Sequence, residues 1–135
     1  MKFELGIKDV GLEELFDLYP RKIETMVRRA GRKAGREGVD RLKEESPRRI
    51  NGKFEPRYAM NWSLRDKTVT GGNIEYVIHN KKTYPLIHLL EDGHDLIIRG
   101  VKVRRVDPIK HFERNNKKAC DNFEKYIDEG LRKVK

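Results

Sequence analysis

"YAMNWSLRDKTVTGGNIEYVIHN", residues 58–80, alternates, breaks at two glycines and alternates again. Tyr58, Met60, Trp62 and Leu64 fall on one side of the first half, and Ala59, Asn61, Ser63 and Arg65 on the other. In the second half Ile74, Tyr76 and Ile78 share a side. Successive strand residues point to opposite faces, so this pattern predicts two half-buried strands. Gly71-Gly72 supplies the turn of an antiparallel hairpin. Trp62 is expected in the core, with Tyr58, Met60 and Leu64 on the same strand face.

Upstream, GLEELFDLYP (11–20) places Leu12, Leu15 and Phe16 at helical spacing, with acids in its first turn. Pro20 suits the first turn of a new helix, so a long helix is expected from about Pro20 to Glu45. Its apolar stripe is Ile23, Met26, Val27, Ala30, Ala34 and Leu42. Gly31, Gly35 and Gly38 weaken its propensity by about 1 kcal/mol each relative to Ala, and permit close packing against a neighbour. SPRRINGKFEP (46–56) ends it with Ser-Pro and Asn-Gly turn signals, a basic stretch read as mobile.

Downstream, YPLIHLLEDGH (84–94) reads as a short helix over 84–92, with Leu86, Leu89 and Leu90 buried and Gly93 closing it in a left-handed cap. DLIIRGVKVRRVD (95–107) reads as two extended pieces around Gly100. Valines alternate with cations there, which puts Val101 and Val103 on one side of the strand and the charges on the other, in a projecting loop or hairpin arm. Pro108 is expected in the first turn of a final helix, 108–135, with an apolar stripe of Phe112, Ala119, Phe123, Tyr126, Ile127, Leu131 and Val134. The fold class is therefore α+β in a single domain, 1–135. A small antiparallel sheet (57–107) is flanked by N-terminal helices (11–45) and a C-terminal amphipathic helix.

Charged residues make up 39% of the 135-residue chain and hydrophobic ones 36%, so the core is lean, and such a subunit often completes its burial against another copy. The net charge of +9 is uneven: residues 20–53 carry +7 and residues 99–118 carry +6. Basic patches attract phosphate. For the first segment the expected reading is a solvated helix face, because Arg28, Arg29, Arg32, Lys33 and Arg36 fall on the outer side of the helix. No apolar run approaches the roughly 18 residues of a membrane span. MKFELGIKDV has acids and no long apolar stretch, unlike a signal peptide. Cys120 stands alone, which excludes an internal disulfide and fits a reducing cytosol.

His88, Glu91 and His94 raise the question of a metal or proton-transfer site. A zinc helix needs two His four apart with Glu beside the first, whereas these histidines lie six apart, about 240° around a helix. His88 is read as a packed, hydrogen-bonded residue and Glu91 as a solvent or interface group. Gly71-Gly72 is followed by no Gly-Lys-Ser/Thr, and Ser46 and Ser63 lack a nucleophile's context. The chain reads as a non-enzyme, with no cofactor, no metal and no catalytic residue.

The long basic helix, the Ser-Pro turn, the strand, glycine turn and strand ending in Asn80 lead into Tyr84-x-Leu86-x-His88-Leu89-Leu90-Glu91-x-Gly93-His94. A basic glycine-containing loop, Pro108 and an amphipathic helix follow. From about residue 12 to the end, this order resembles the small tail-component or head–tail joining (neck, tail completion) proteins of tailed bacteriophages and prophages. Where that family tends to read Pro-His-Ile-x-Pro-Ala, this chain reads Asp107-Pro108-Ile109-Lys110-His111-Phe112. The resemblance implies a sheet flanked by helices, no catalysis and a homo-oligomeric ring at the neck or upper tail of the virion. It implies head-connector and tail-tube proteins as neighbours, and synthesis in the bacterial host cytoplasm. The motif residues then belong to a helix-and-cap element of the fold, while Arg99, Lys102, Arg104 and Arg105 are candidates for non-specific contact with phage DNA or with a neighbouring subunit. Two rival readings are a sequence-independent nucleic-acid-binding module, suggested by a pI near 9.7, and a small ribonuclease-type toxin drawing on His79, His88, His94 and His111.

Overall fold

Three glycines set how the longest helix meets the sheet. In the computed structural model, α1 spans Pro20–Glu45. Side chains i, i+4 and i+7 share a helix face, and Gly31, Gly35 and Gly38 lie on the face turned to the sheet. A Cβ added at Gly31 would sit 2.5 Å from the Tyr76 ring, and one at Gly35 2.6 Å from Leu64. The absent methyls let α1 settle directly onto the sheet. Ile23, Val27, Ala30, Ala34 and Leu42 of the expected stripe are buried, and Met26 is half-buried.

The structure describes residues 3–6, 20–50, 53–69, 74–83 and 85–134, with only the backbone at 3–6, Pro20 and Val134. The helix expected over 11–19, the turn at Gly71-Gly72 and Tyr84 lie outside the described residues.

The sheet has three antiparallel strands in the order β1 (Phe3–Gly6), β5 (Glu75–Asn80), β4 (Trp62–Asp66). Registers pair Trp62 with Asn80 and Leu64 with Ile78 on one side of β5, and Phe3 with Ile78 on the other. β4 and β5 form the hairpin that the alternation predicts, and Ile74, Tyr76 and Ile78 are buried together. β1 was not legible in MKFELGIKDV. It is held by its pairing with the centre of the sheet, which gives no local period to read.

Two short elements replace expected ones. Residues 49–50 and 53–54 form a small antiparallel ladder, β2 (Arg49–Ile50) and β3 (Lys53–Phe54), within the stretch read as a mobile turn. Tyr58 and Met60 lie in a helical turn, α2 (Arg57–Met60), and not on the strand. Pro56 has helical φ −72° and ψ −15° at its start, and its carbonyl accepts from Met60 N at 3.1 Å. A helical turn places residues two apart on different sides, so Tyr58 is buried while Met60 is 58% exposed. The expectation for Met60 is thereby corrected.

Helix α3 (Leu86–Asp92) follows, then a separate two-stranded hairpin of β6 (His94–Ile98) and β7 (Val101–Val106). The last helix, α4 (Phe112–Val134), packs along α1. Phe112, Ala119, Phe123 and Ile127 are buried, with Tyr126 and Leu131 half-buried. Trp62 is 2% exposed, stacked on Phe112 with centroids 5.5 Å apart and meeting Tyr58 edge-on at 5.8 Å. Its indole N–H donates to Ser46 Oγ at 2.8 Å. The fold is α+β, with small antiparallel sheets between a long N-terminal and a C-terminal helix.

Candidate functional site: a latched joint and a projecting arm

Helix α4 begins without any of the usual capping residues, since His111 precedes Phe112. Its first N–H groups are nevertheless satisfied. Glu91 Oε1 accepts from His111 N at 2.5 Å and Phe112 N at 2.6 Å, and Oε2 accepts from Glu113 N at 3.4 Å. A carboxylate at a helix N-terminus meets unpaired donors and the positive end of the dipole. Burial opposes the Glu91 charge, but the three N–H bonds outweigh it and hold the carboxyl below its ordinary range. Glu91 is thus a buried latch between α3 and α4, which corrects its reading as a solvent or interface group. Pro108 lies four residues before α4, also contrary to expectation. The chain there is occupied otherwise, with Ile109 N donating to Leu90 O at 2.6 Å.

His111 completes the joint and is fully buried. Its Nδ1 lies 2.8 Å from Ile109 O and 3.0 Å from Glu91 Oε1, and its Nε2 lies 2.6 Å from the Tyr58 hydroxyl. With Nδ1–H as donor, Nε2 accepts from the phenol, so a neutral imidazole satisfies every contact. Burial pushes the imidazole below its ordinary range, against the Ile109 carbonyl and the Glu91 carboxylate. Burial likewise pushes the Tyr58 phenol up, with the Glu91 charge adding to it. Asn115 Nδ2 donates to His111 O at 2.6 Å and to Glu45, tying the end of α1 to the start of α4.

Gly93 joins α3 to the arm at φ 73° and ψ 176°. The φ is positive as expected, but the ψ is not that of a left-handed helical cap. This region is open essentially to glycine alone. An added Cβ would lie 2.5 Å from Val106 O and 3.0 Å from Pro108 N, where the returning chain crosses. Of the other motif residues, Leu90 is buried, Leu86 is half-buried, and His88 is exposed. Leu89 is 42% exposed while Ile87 is buried, so the buried side of α3 is Ile87, Leu90 and Glu91. The reading of His88 as packed and of Leu89 as buried is corrected. His94 is half-buried in β6 opposite Val106. Among the described residues no three His, Cys, Asp or Glu side chains converge as a metal site, so His88, Glu91 and His94 do not form one.

The hairpin beyond Gly93 is the arm. Arg99 and Gly100 make its two-residue turn with φ 51° and 80°, the positive values that suit a tight hairpin. The register slips between Leu96 and Ile97, leaving Val103 without a partner. This bulge ends the simple alternation of valines and cations. Lys102 and Arg105 come to share one face around Asp95, with ion pairs of 3.4 and 3.5 Å. Arg105 also donates to Asp92 O at 2.9 Å, anchoring the base of the arm to α3. Arg99, Lys102, Arg104 and Arg105 are all exposed. So are Ile97, Ile98, Val101 and Val103, each more than half exposed.

The sequence offered no local signal for the latch, because Glu91 and the N–H groups it accepts from lie some 20 residues apart. The missing cap at the start of α4 was the one available hint. Asp95 and the bulge were equally hidden.

The chain is thus an α+β fold with an internally latched joint and an exposed hairpin arm. Residues 12–93 match the family described as "Bacteriophage HK97-gp10, putative tail-component". The chain belongs to this family of phage tail components, and its setting is accordingly the virion. No curated protein and no solved structure matches it. No helix among the described residues is long and apolar enough to cross a membrane.

Proposed function

We propose that the chain is a structural subunit of the head–tail joint or upper tail, several copies of which close into a ring, and that it catalyses no reaction. The family match over residues 12–93 carries this reading. The arm supports it, because an isolated subunit leaves Ile97, Ile98, Val101 and Val103 in water, where a neighbour in a ring would cover them. Head-connector and tail-tube proteins are the neighbours above and below the ring, and DNA passes through its lumen.

The test is removal of the gene from a phage or inducible prophage, with electron microscopy of the lysate. Filled heads without attached tails, or heads that lose DNA, are the expected result, and the protein should be found in purified wild-type particles. Normal infectious virions without the gene would overturn the proposal. Of the four histidines that the ribonuclease reading draws on, His111 is fully buried and hydrogen-bonded between Tyr58 and Ile109, away from any substrate.

A further inference from the structure

Two groups of exposed cations stand out, on α1 and on the arm. In the arm, two of the four basic residues of the hairpin, Lys102 and Arg105, are answered by a local acid. They share Asp95, and Lys110 lies 3.9 Å from Asp92. On α1 the cations outnumber the acids further. Residues 21–36 carry seven Lys or Arg against one acid, Glu24. Arg21, Lys22, Arg29, Arg32, Lys33 and Arg36 are exposed, and Arg28 is half-buried with a buried Nε that has no hydrogen-bond acceptor. Acids facing this surface are few and committed. Glu24 lies 3.7 Å from Arg28. Asp66 on β4 reaches Arg28 and Arg32 electrostatically. Glu37 is held by the Tyr126 hydroxyl, and Glu129 borders the groove of about 640 Å³ between α1 and α4.

Helical rise spreads these cations over a strip on the order of 20 Å long. Pairs such as Arg28–Arg32 and Arg29–Lys33 stand one turn apart, where like charges repel. A polyanion relieves that repulsion. Of the aromatic rings beside the strip, Tyr76 is fully buried, and Tyr126 is held by Glu37 and covered by Lys33 at 4.1 Å. Neither is therefore a platform for unstacked bases. A row of cations without a stacking surface suits the backbone of a duplex, read without regard to sequence.

We infer that the exposed face of α1 is a phosphate-binding surface for duplex DNA, and that the arm is not. The inference stands on the surface alone and does not require the ring.

The experiment is fluorescence anisotropy of purified protein with a random duplex of about 30 base pairs across a salt series. Each duplex phosphate neutralised contributes about 0.9 to the slope of log affinity against log salt. Arg29→Gln/Arg32→Gln/Arg36→Gln should flatten the slope by nearly 3 and weaken low-salt binding by at least on the order of tenfold. Lys102→Gln/Arg104→Gln/Arg105→Gln should change the slope by less than about 1. Glutamine preserves helix propensity in α1, and the arm variant gives up only exposed polar contacts, so both should melt close to wild type. A larger effect from the arm variant would overturn the assignment. So would absence of wild-type binding at low salt, or binding of polyglutamate as tight as that of a duplex of equal charge. None of these results bears on the virion test, which reads assembly and not affinity.

Discussion

Glu91 holds the start of α4 in place. Glu91→Ala leaves three N–H groups at the start of α4 without their acceptor, two of them at 2.5 and 2.6 Å in the native protein. The expected loss is about 1–3 kcal/mol in urea unfolding, with Glu91→Gln milder because it keeps one acceptor. The joint also fixes a pH response. His111 and Glu91 both have folded values below their ordinary ones, so in each case the unfolded chain binds more protons. Stability is full above the unfolded values. It is lost as pH falls below about 6.5 for His111, and further below about 4.5 for Glu91. His111→Gln should remove the upper part of this acid slope in denaturation curves taken from pH 8 to 4. An unchanged slope would mean that the imidazole takes up its proton equally in the folded and unfolded chain. Gly93 gives a sharper test of geometry. An ordinary left-handed cap accepts asparagine, but φ 73° with ψ 176° does not. Gly93→Asn should therefore cost about 1–3 kcal/mol or more, nearly as much as Gly93→Val. A tolerated asparagine would place Gly93 in the ordinary cap after all.

Packing between elements turns on α1 and Trp62. Gly31→Ala improves helix propensity by about 1 kcal/mol yet puts a methyl into the Tyr76 ring. The tertiary clash should win, giving a net destabilisation of about 1–3 kcal/mol in thermal or urea melts. Trp62 fluorescence should be blue-shifted and weakly quenched by iodide, and Trp62→Ala should cost about 3–5 kcal/mol. Ser46→Ala strands the indole N–H and should cost about 1–3 kcal/mol. Helices and the β4–β5 hairpin were legible because each carries its own period over many residues. α2 was not, since YAM fits an alternating template and a helical turn equally, and Pro56 alone arbitrates. β1 and the β2–β3 ladder were hidden because short strands are specified by their partners. The bulge at Val103 was hidden for the same reason, as register belongs to two strands at once.

The whole molecule divides its surface. α1 offers a dense excess of positive charge on one side, while the arm offers apolar side chains and a charge that Asp95 offsets in part. If the arm is the subunit contact, Ile97→Ser/Ile98→Ser/Val101→Ser/Val103→Ser should abolish concentration-dependent assembly in analytical ultracentrifugation and leave the melting temperature of the monomer nearly unchanged. Equal assembly by this variant would exclude the arm from the interface. Both basic segments were visible in the sequence, but which cations meet an acid was not, because Asp95 meets Lys102 and Arg105 only across the hairpin. The latch has a bearing on inheritance. Glu91 and the start of α4 hold the two ends of the arm together, so its 17 residues from His94 to Lys110 form a cassette whose entry and exit are fixed independently of its contents. Closing a loop of different length costs little extra entropy. Related phages can therefore exchange, lengthen or trim the arm to suit a new neighbour while the body beneath it folds as before.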